Sequence, residues 1–70
     1  MVRKLLLDPG HGGHDPGALN RHSGLTEAEV VLDVCKRMAD ILRPAIHCGF
    51  TRGADYFVPL RDRAQHANDW

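Results

Sequence analysis

Directly after the apolar run Leu5-Leu6-Leu7 the chain reads Asp8-Pro9-Gly10-His11-Gly12-Gly13-His14-Asp15-Pro16-Gly17-Ala18. A helix or strand does not run through repeated Pro-Gly steps. The apolar run is therefore expected to be a short buried strand, Arg3 to Leu7, that stops at Pro9-Gly10 and hands on a histidine. In open α/β sheets the ligand crevice lies outside the carboxyl ends of the strands, so His11 is placed where chemistry is commonly done. Gly10, Gly12, Gly13 and Gly17 open backbone conformations closed to other residues and let a ligand approach the main chain. A long loop without structure of its own is uncommon in a compact domain and is often functional. Ordering it is costly, which points to a bound partner that helps to order it.

The rest of the chain supplies the elements such a loop needs. Thr26 and Glu29 form a T-x-x-E capping box, with Thr26 capping an amide and Glu29 reaching back. Val31, Val34, Cys35, Met38, Ile41 and Leu42 follow at helical spacing on one face. Pro44 stops that helix near Arg43. Ile46 to Thr51 reads as a second strand, weakened by Gly49, and Arg52 to Tyr56 as a turn. A second helix is expected from Pro59, a residue suited to a first helical turn, through Asn68. Strand, loop, helix, strand, helix predicts an α/β fold, a mostly parallel sheet with flanking helices. Two strands make a poor sheet, so residues 1–70 read as the first β-loop-α-β-α portion of a single larger domain.

Bulk properties exclude several classes. Seventy residues allow one small domain, marginal without a metal, a disulfide or a partner. A formal net charge of zero gives no electrostatic case for nucleic acid or an anionic membrane. No apolar run approaches the roughly 20 residues that span a bilayer. The start, Met1-Val2-Arg3-Lys4, leads only to Leu5–Leu7 before Asp8, so no signal-peptide h-region is expected in this chain. Cys35 and Cys48 lack metal-type spacing. They read as two reduced, buried thiols, with a disulfide open if the protein works outside the cell. The sequence carries no signal for an oligomeric state.

The spacing of these motifs resembles a known family. Leu7-Asp8-Pro9-Gly10-His11-Gly12-Gly13, then Asp15-Pro16-Gly17-Ala18, then Gly24-Leu25-Thr26-Glu27, is similar to the zinc-dependent N-acetylmuramoyl-L-alanine amidases that cut bacterial peptidoglycan. Thr51-Arg52, Val58-Pro59-Leu60-Arg61-Asp62-Arg63-Ala64 and Ala67-Asn68 resemble the same family's second strand and following helix. The resemblance runs from about Lys4 to Trp70. It implies a hydrolase in which His11 and Glu27 are two of the Zn2+ ligands. It places the third ligand, a histidine on a later strand, and the general base, a glutamate, after Trp70. Residues 1–70 are then the N-terminal portion of the catalytic domain, incomplete as an enzyme on their own. The implied reaction is cleavage of the amide between N-acetylmuramic acid and L-alanine, with peptidoglycan as the partner. The alternative is a truncated, non-catalytic fragment that binds zinc or peptidoglycan. The implied setting is the periplasm, the cell surface or the extracellular space for an autolysin, or release at lysis for a phage endolysin.

Other readings compete residue by residue. Imidazole and carboxylate are ordinary zinc ligands, but an acidic residue in a helix's first turn, as Glu27 would be, is also favoured by the dipole. Asp8 is a turn starter or a carboxylate that accepts from the other ring nitrogen of a metal-bound histidine. His14 is a loop residue near the site, in reach of substrate. His66-Ala67-Asn68 mimics the family's third-ligand segment, but its place in the second helix argues against a ligand. A set of His11, His14 and His22 fits no metal spacing. Arg52 is expected to anchor a carboxylate locally, and Arg61 and Arg63 to form a solvated helix face. Gly10-His11-Gly12-Gly13 is not G-x-G-x-x-G, and no Gly-Lys-Ser/Thr follows, so a nucleotide site is disfavoured.

Overall fold

A computed structural model describes residues 3–70; Met1 and Val2, the first half of the Met1-Val2-Arg3-Lys4 start, lie outside the described residues. The elements are β1 (Lys4–Leu7), α1 (Glu27–Leu42), β2 (His47–Phe50) and α2 (Leu60–Asp69). β1 and β2 pair in parallel with Leu5 opposite Cys48 and Leu7 opposite Phe50. The ladder continues at both ends, where the His47 N–H donates to the Arg3 carbonyl and the Thr51 N–H to the Leu7 carbonyl, each at 2.9 Å. This is the expected α/β arrangement, with a parallel pair and a helix on each face.

Side-chain alternation divides the sheet. Leu5, Leu7, Cys48 and Phe50 face α1, where Leu7, Ala39 and Cys48 form the buried centre and Cys35, Leu42 and Ile46 pack around it. Leu6 and Gly49 face the other way, toward α2. There the Trp70 ring lies so close to Gly49 that a Cβ would meet it at 2.6 Å. Gly49 therefore does not weaken the strand; it makes room for an indole. An open cleft of about 310 Å³ separates Leu6 from Leu60, Ala64 and Ala67 of α2.

The start of α1 follows the sequence closely. Thr26 is extended, and its Oγ1 accepts from the Glu29 N–H at 3.2 Å. Among the described residues the return bond from the Glu29 side chain is not formed, so half of the expected box is in place. The helix stops at Leu42, with the Arg43 N–H donating to the Ala39 carbonyl. Pro59 is the N-cap of α2 rather than its first residue.

The buried face of α1 differs from the expected one. Ala28, Cys35, Ala39 and Leu42 point inward. Val34, Met38 and Ile41 are exposed, Ile41 by 77%. The reason is steric. The two alanines let the helix axis come close to the sheet, and that closeness decides which stripe turns inward. The larger residues form a second stripe, with Val30, on the outer side. Both cysteines are free. Burial pushes the Cys35 thiol above its ordinary pKa, so it carries little thiolate at neutral pH. Among the described residues no helix is long and apolar enough to cross a membrane.

Candidate active site

The loop after β1 turns back on itself at once. Gly12 and Asp15 exchange backbone hydrogen bonds of 2.6 and 2.9 Å. His11, just before that turn, has φ +62°, a left-handed conformation that non-glycine residues seldom adopt. Its ring is thereby set between two carboxylates. Nδ1 lies 3.0 Å from Asp15 Oδ2, and Nε2 lies 2.8 Å from Glu27 Oε2. The rest of the loop returns along the start of α1. The Glu27 N–H donates to the Ala18 carbonyl at 2.8 Å and the Ala28 N–H to the Pro16 carbonyl at 3.0 Å. The Ala18 N–H donates in turn to Glu27 Oε1 at 3.1 Å. Gly17 makes the meeting possible: at φ +68° a Cβ there would stand 2.8 Å from the His11 ring and 2.9 Å from the Glu27 carboxylate. The structure thus brings together the two residues expected to meet, one from a strand end and one from a helix start.

The electrostatics follow from these contacts. The hydrogen bond to Asp15, then that to Glu27, raises the His11 pKa above its ordinary value. The bond from His11 holds Asp15 below the usual carboxylate range. The Ala18 N–H, then His11, does the same for Glu27. Imidazolium between two carboxylates is the state this geometry favours at moderate pH. A metal cation held between Nε2 and Oε2 would have to displace that proton.

The residues fit such an ion in part. Tetrahedral zinc with bonds near 2.0–2.1 Å holds its donors about 3.3 Å apart, against 2.8 Å between Nε2 and Oε2. The two side chains, 32% and 43% exposed, are free to part by the half ångström required. Asp15 on Nδ1 would keep the proton on that nitrogen and leave Nε2 facing the metal, as outer carboxylates do. Among the described residues no group of three or more His, Cys, Asp or Glu side chains is placed to hold a metal ion, so the described residues offer two donors. The set His11, His14 and His22 does not form. His14 packs on Phe57, ring centroids 4.2 Å apart. His66 meets Trp70 edge-on, ring centroids 6.4 Å apart.

Asp8 is not the carboxylate on the histidine ring. It accepts from Thr51 Oγ1 at 2.7 Å and from Arg63 at 2.6 Å. The left-handed turn at His11 rotates the ring away from Asp8 and toward Asp15. Partial burial pushes the Asp8 carboxyl up, but the bonds from Arg63 and Thr51 outweigh it and hold it low.

Beneath the pair lie two arginines whose roles differ from those expected. Arg52 is fully buried and anchors backbone, not a carboxylate. It donates to the carbonyls of Pro9 at 2.9 Å, Gly10 at 2.6 Å, Ala28 at 3.0 Å and Ala54 at 2.9 Å. Arg63 is 7% exposed rather than solvated. Besides Asp8 it donates to the carbonyls of Pro9 at 2.7 Å, His11 at 2.8 Å and Val58 at 2.9 Å. Arg61 alone of the helix pair is solvent-facing, its side chain 94% exposed. Buried carbonyls in an irregular loop need donors. That need was the available signal, since Arg52 follows β2 directly and Arg63 sits in the first turn of α2, both beside the loop.

The family model described as N-acetylmuramoyl-L-alanine amidase matches residues 5–70. The N-acetylmuramoyl-L-alanine amidase AmiA of Escherichia coli is 46% identical over 67 residues, covering 94% of this chain and 23% of that protein. The endolysin of Bacillus phage SPP1 is 40% identical over 70 residues, covering 97% of this chain and 25% of its own length. Among solved structures, an N-acetylmuramoyl-L-alanine amidase from Clostridium difficile 630 superposes with a TM-score of 0.92 at 33% identity, over 97% of this chain and 38% of that one. The chain thus spans about a quarter of the length of these curated relatives.

Proposed function

Because the chain belongs to the N-acetylmuramoyl-L-alanine amidase family, we propose that the full-length protein carrying it is a zinc-dependent peptidoglycan hydrolase. The bond cleaved is the amide between N-acetylmuramic acid and L-alanine, and residues 1–70 are the N-terminal portion of one catalytic domain. The observation that carries this reading is the convergence of His11 Nε2 and Glu27 Oε2, with Asp15 on the far ring nitrogen. Zinc, when bound there, supplies Lewis acidity to the scissile carbonyl and to the attacking water.

The chain's own residues provide position. His11 offers Nε2, its tautomer held by Asp15. Glu27 offers one oxygen while the Ala18 N–H steadies the other. Arg52 and Arg63 hold the carbonyls on either side of His11 and so fix its unusual backbone. A third ligand and a general base complete the site from outside residues 3–70. Relatives named for the amidase reaction favour an enzyme over a non-catalytic binding fragment. The wall lies outside the cytoplasm, so the protein acts in the periplasm, at the cell surface, or at lysis if phage-encoded.

The test uses the full-length protein. Zinc titration by calorimetry should show His11→Ala and Glu27→Ala each losing at least about 100-fold in affinity, beyond the 10–100-fold typical of an outer partner. Release of L-alanine amino termini from purified peptidoglycan should stop with a chelator and return with zinc. Wild-type zinc affinity in both variants sinks the ligand assignment, and absence of amide cleavage sinks the activity.

A further inference from the structure

The His11–Glu27 pair lies between two clefts of different chemistry. One, of about 470 Å³, touches Glu27 and is aliphatic, with Leu19, Leu25 and Val30 on its walls. The other, of about 380 Å³, touches His11 and Asp15 and is walled by Phe57, Val58 and Leu60. Phe57 remains 39% exposed although its ring packs on His14. It is also held by its backbone: a Cβ on Gly13 would meet the Phe57 nitrogen at 2.8 Å, and the Gly13 N–H donates to Asp55 Oδ1 at 2.8 Å. An aromatic face fixed on both sides, open to solvent beside a reactive pair, is a binding surface and not a stray hydrophobe.

We propose that Phe57, backed by His14, is the ledge on which the sugar ring of the substrate lies. This rests on the amidase reading above. The scissile amide joins two unlike parts, and the clefts differ in the surface they offer, one aromatic and one aliphatic. A muramoyl ring whose lactyl carboxyl is tied up in the amide is neutral, with a face of C–H groups that packs on an aromatic plane. The stem peptide carries free carboxylates. On the Phe57 side Asp15 lines the cleft, and Asp55 takes the Gly13 N–H behind Phe57. Arg63 lies beneath, taken up by Asp8 and three carbonyls, and Arg61 leans on Asp62. On the other side Arg21 and His22 stand in the exposed turn next to Leu19 and Asn20. The C–H face of the sugar therefore takes the aromatic cleft, and the peptide leaves across the aliphatic one toward Arg21.

Two soluble substrates test this in the zinc-loaded full-length protein: a disaccharide-tetrapeptide and the matching D-lactoyl-tetrapeptide, which has the same amide but no pyranose. The readout is the ratio of kcat/KM for the two. Phe57→Leu keeps apolar bulk against Gly13 and His14 but loses the aromatic face, so folding is preserved where Phe57→Ala would risk it. The ratio should fall about tenfold, through KM of the sugar-bearing compound, and Phe57→Trp should restore it. Calorimetric binding of the disaccharide-tetrapeptide to chelator-treated protein should weaken in parallel. An unchanged ratio with both compounds cleaved overturns the ledge alone. Failure of wild type to cleave peptidoglycan or either compound overturns the amidase reading and the ledge with it.

Discussion

The two ends of the parallel pair are held by different forces. At the amino end an aromatic plate closes the sheet. Trp70 lies on Gly49, stacks on His47 with ring centroids 5.2 Å apart, and carries Lys4 over its face at 5.5 Å. These contacts are broad and weakly directional, and among the described residues the buried indole Nε1 has no hydrogen-bond partner. At the carboxyl end two buried arginines hold the loop through short bonds to Asp8 and to backbone carbonyls. Apolar plates tolerate sliding; a set of charge-assisted bonds from rigid guanidinium forks does not. A pair that must sit within tenths of an ångström of a working geometry belongs at the second end.

The largest way to break that contrast is to remove a fork. Arg52→Ala takes a donor from the carbonyls of Pro9, Gly10, Ala28 and Ala54, and Arg63→Ala takes the cation from Asp8 and a donor from three carbonyls. Each should cost about 3–5 kcal/mol of stability in denaturant unfolding and abolish zinc binding in calorimetry. Lysine, a point donor, should recover only part of either loss. The Asp8 link also predicts an acid limb. Its folded pKa is lowered, so its contribution is complete above the unfolded value near 3.9 and is lost as pH falls through the folded one. Asp8→Asn should flatten that limb in a pH series of melting midpoints.

Next in size is Asp15→Asn. It should weaken zinc by about 10–100-fold at pH 8, with melting little changed. Because Asp15 is the main cause of the raised His11 pKa, the variant's histidine also releases its proton at lower pH. Its deficit against wild type should therefore shrink as pH falls, since proton competition is the other half of affinity. A deficit independent of pH would separate Asp15 from the ring. At the amino end, Trp70→Ala should cost about 2 kcal/mol, less than at a fully buried site, and leave zinc affinity alone. Loss of zinc binding there would erase the distinction between the ends. The smallest effect is expected for Trp70→Phe, close to neutral in melting, because among the described residues the indole N–H has no partner to lose.

What the sequence disclosed was mostly local. Pro9-Gly10 ended β1, Thr26 capped α1, Pro44 followed its end, and the strand-end and helix-start positions of His11 and Glu27 brought them together as the loop folded back. What stayed hidden depended on angles and depth. Asp8 and Asp15 flank His11 at similar distance along the chain, and only a backbone φ of +62° chooses Asp15. Ala28 and Ala39 outrank Val34 and Met38 as inward residues because small side chains allow close approach. Arg52 and Arg63 carry no local pattern of burial; their partners are backbone carbonyls of a loop more than forty residues away.

That separation sets an order of events during synthesis. A nascent chain that has cleared the ribosome as far as Val58 already contains β1, α1 and β2, with His11 and Glu27 in reach of one another. It lacks Arg63, which bridges the His11 carbonyl, Asp8 and Val58. The turn at His11 is locked only when the first turn of α2 emerges and docks. Until then Arg52 alone of the two forks holds His11 and Glu27 in aim.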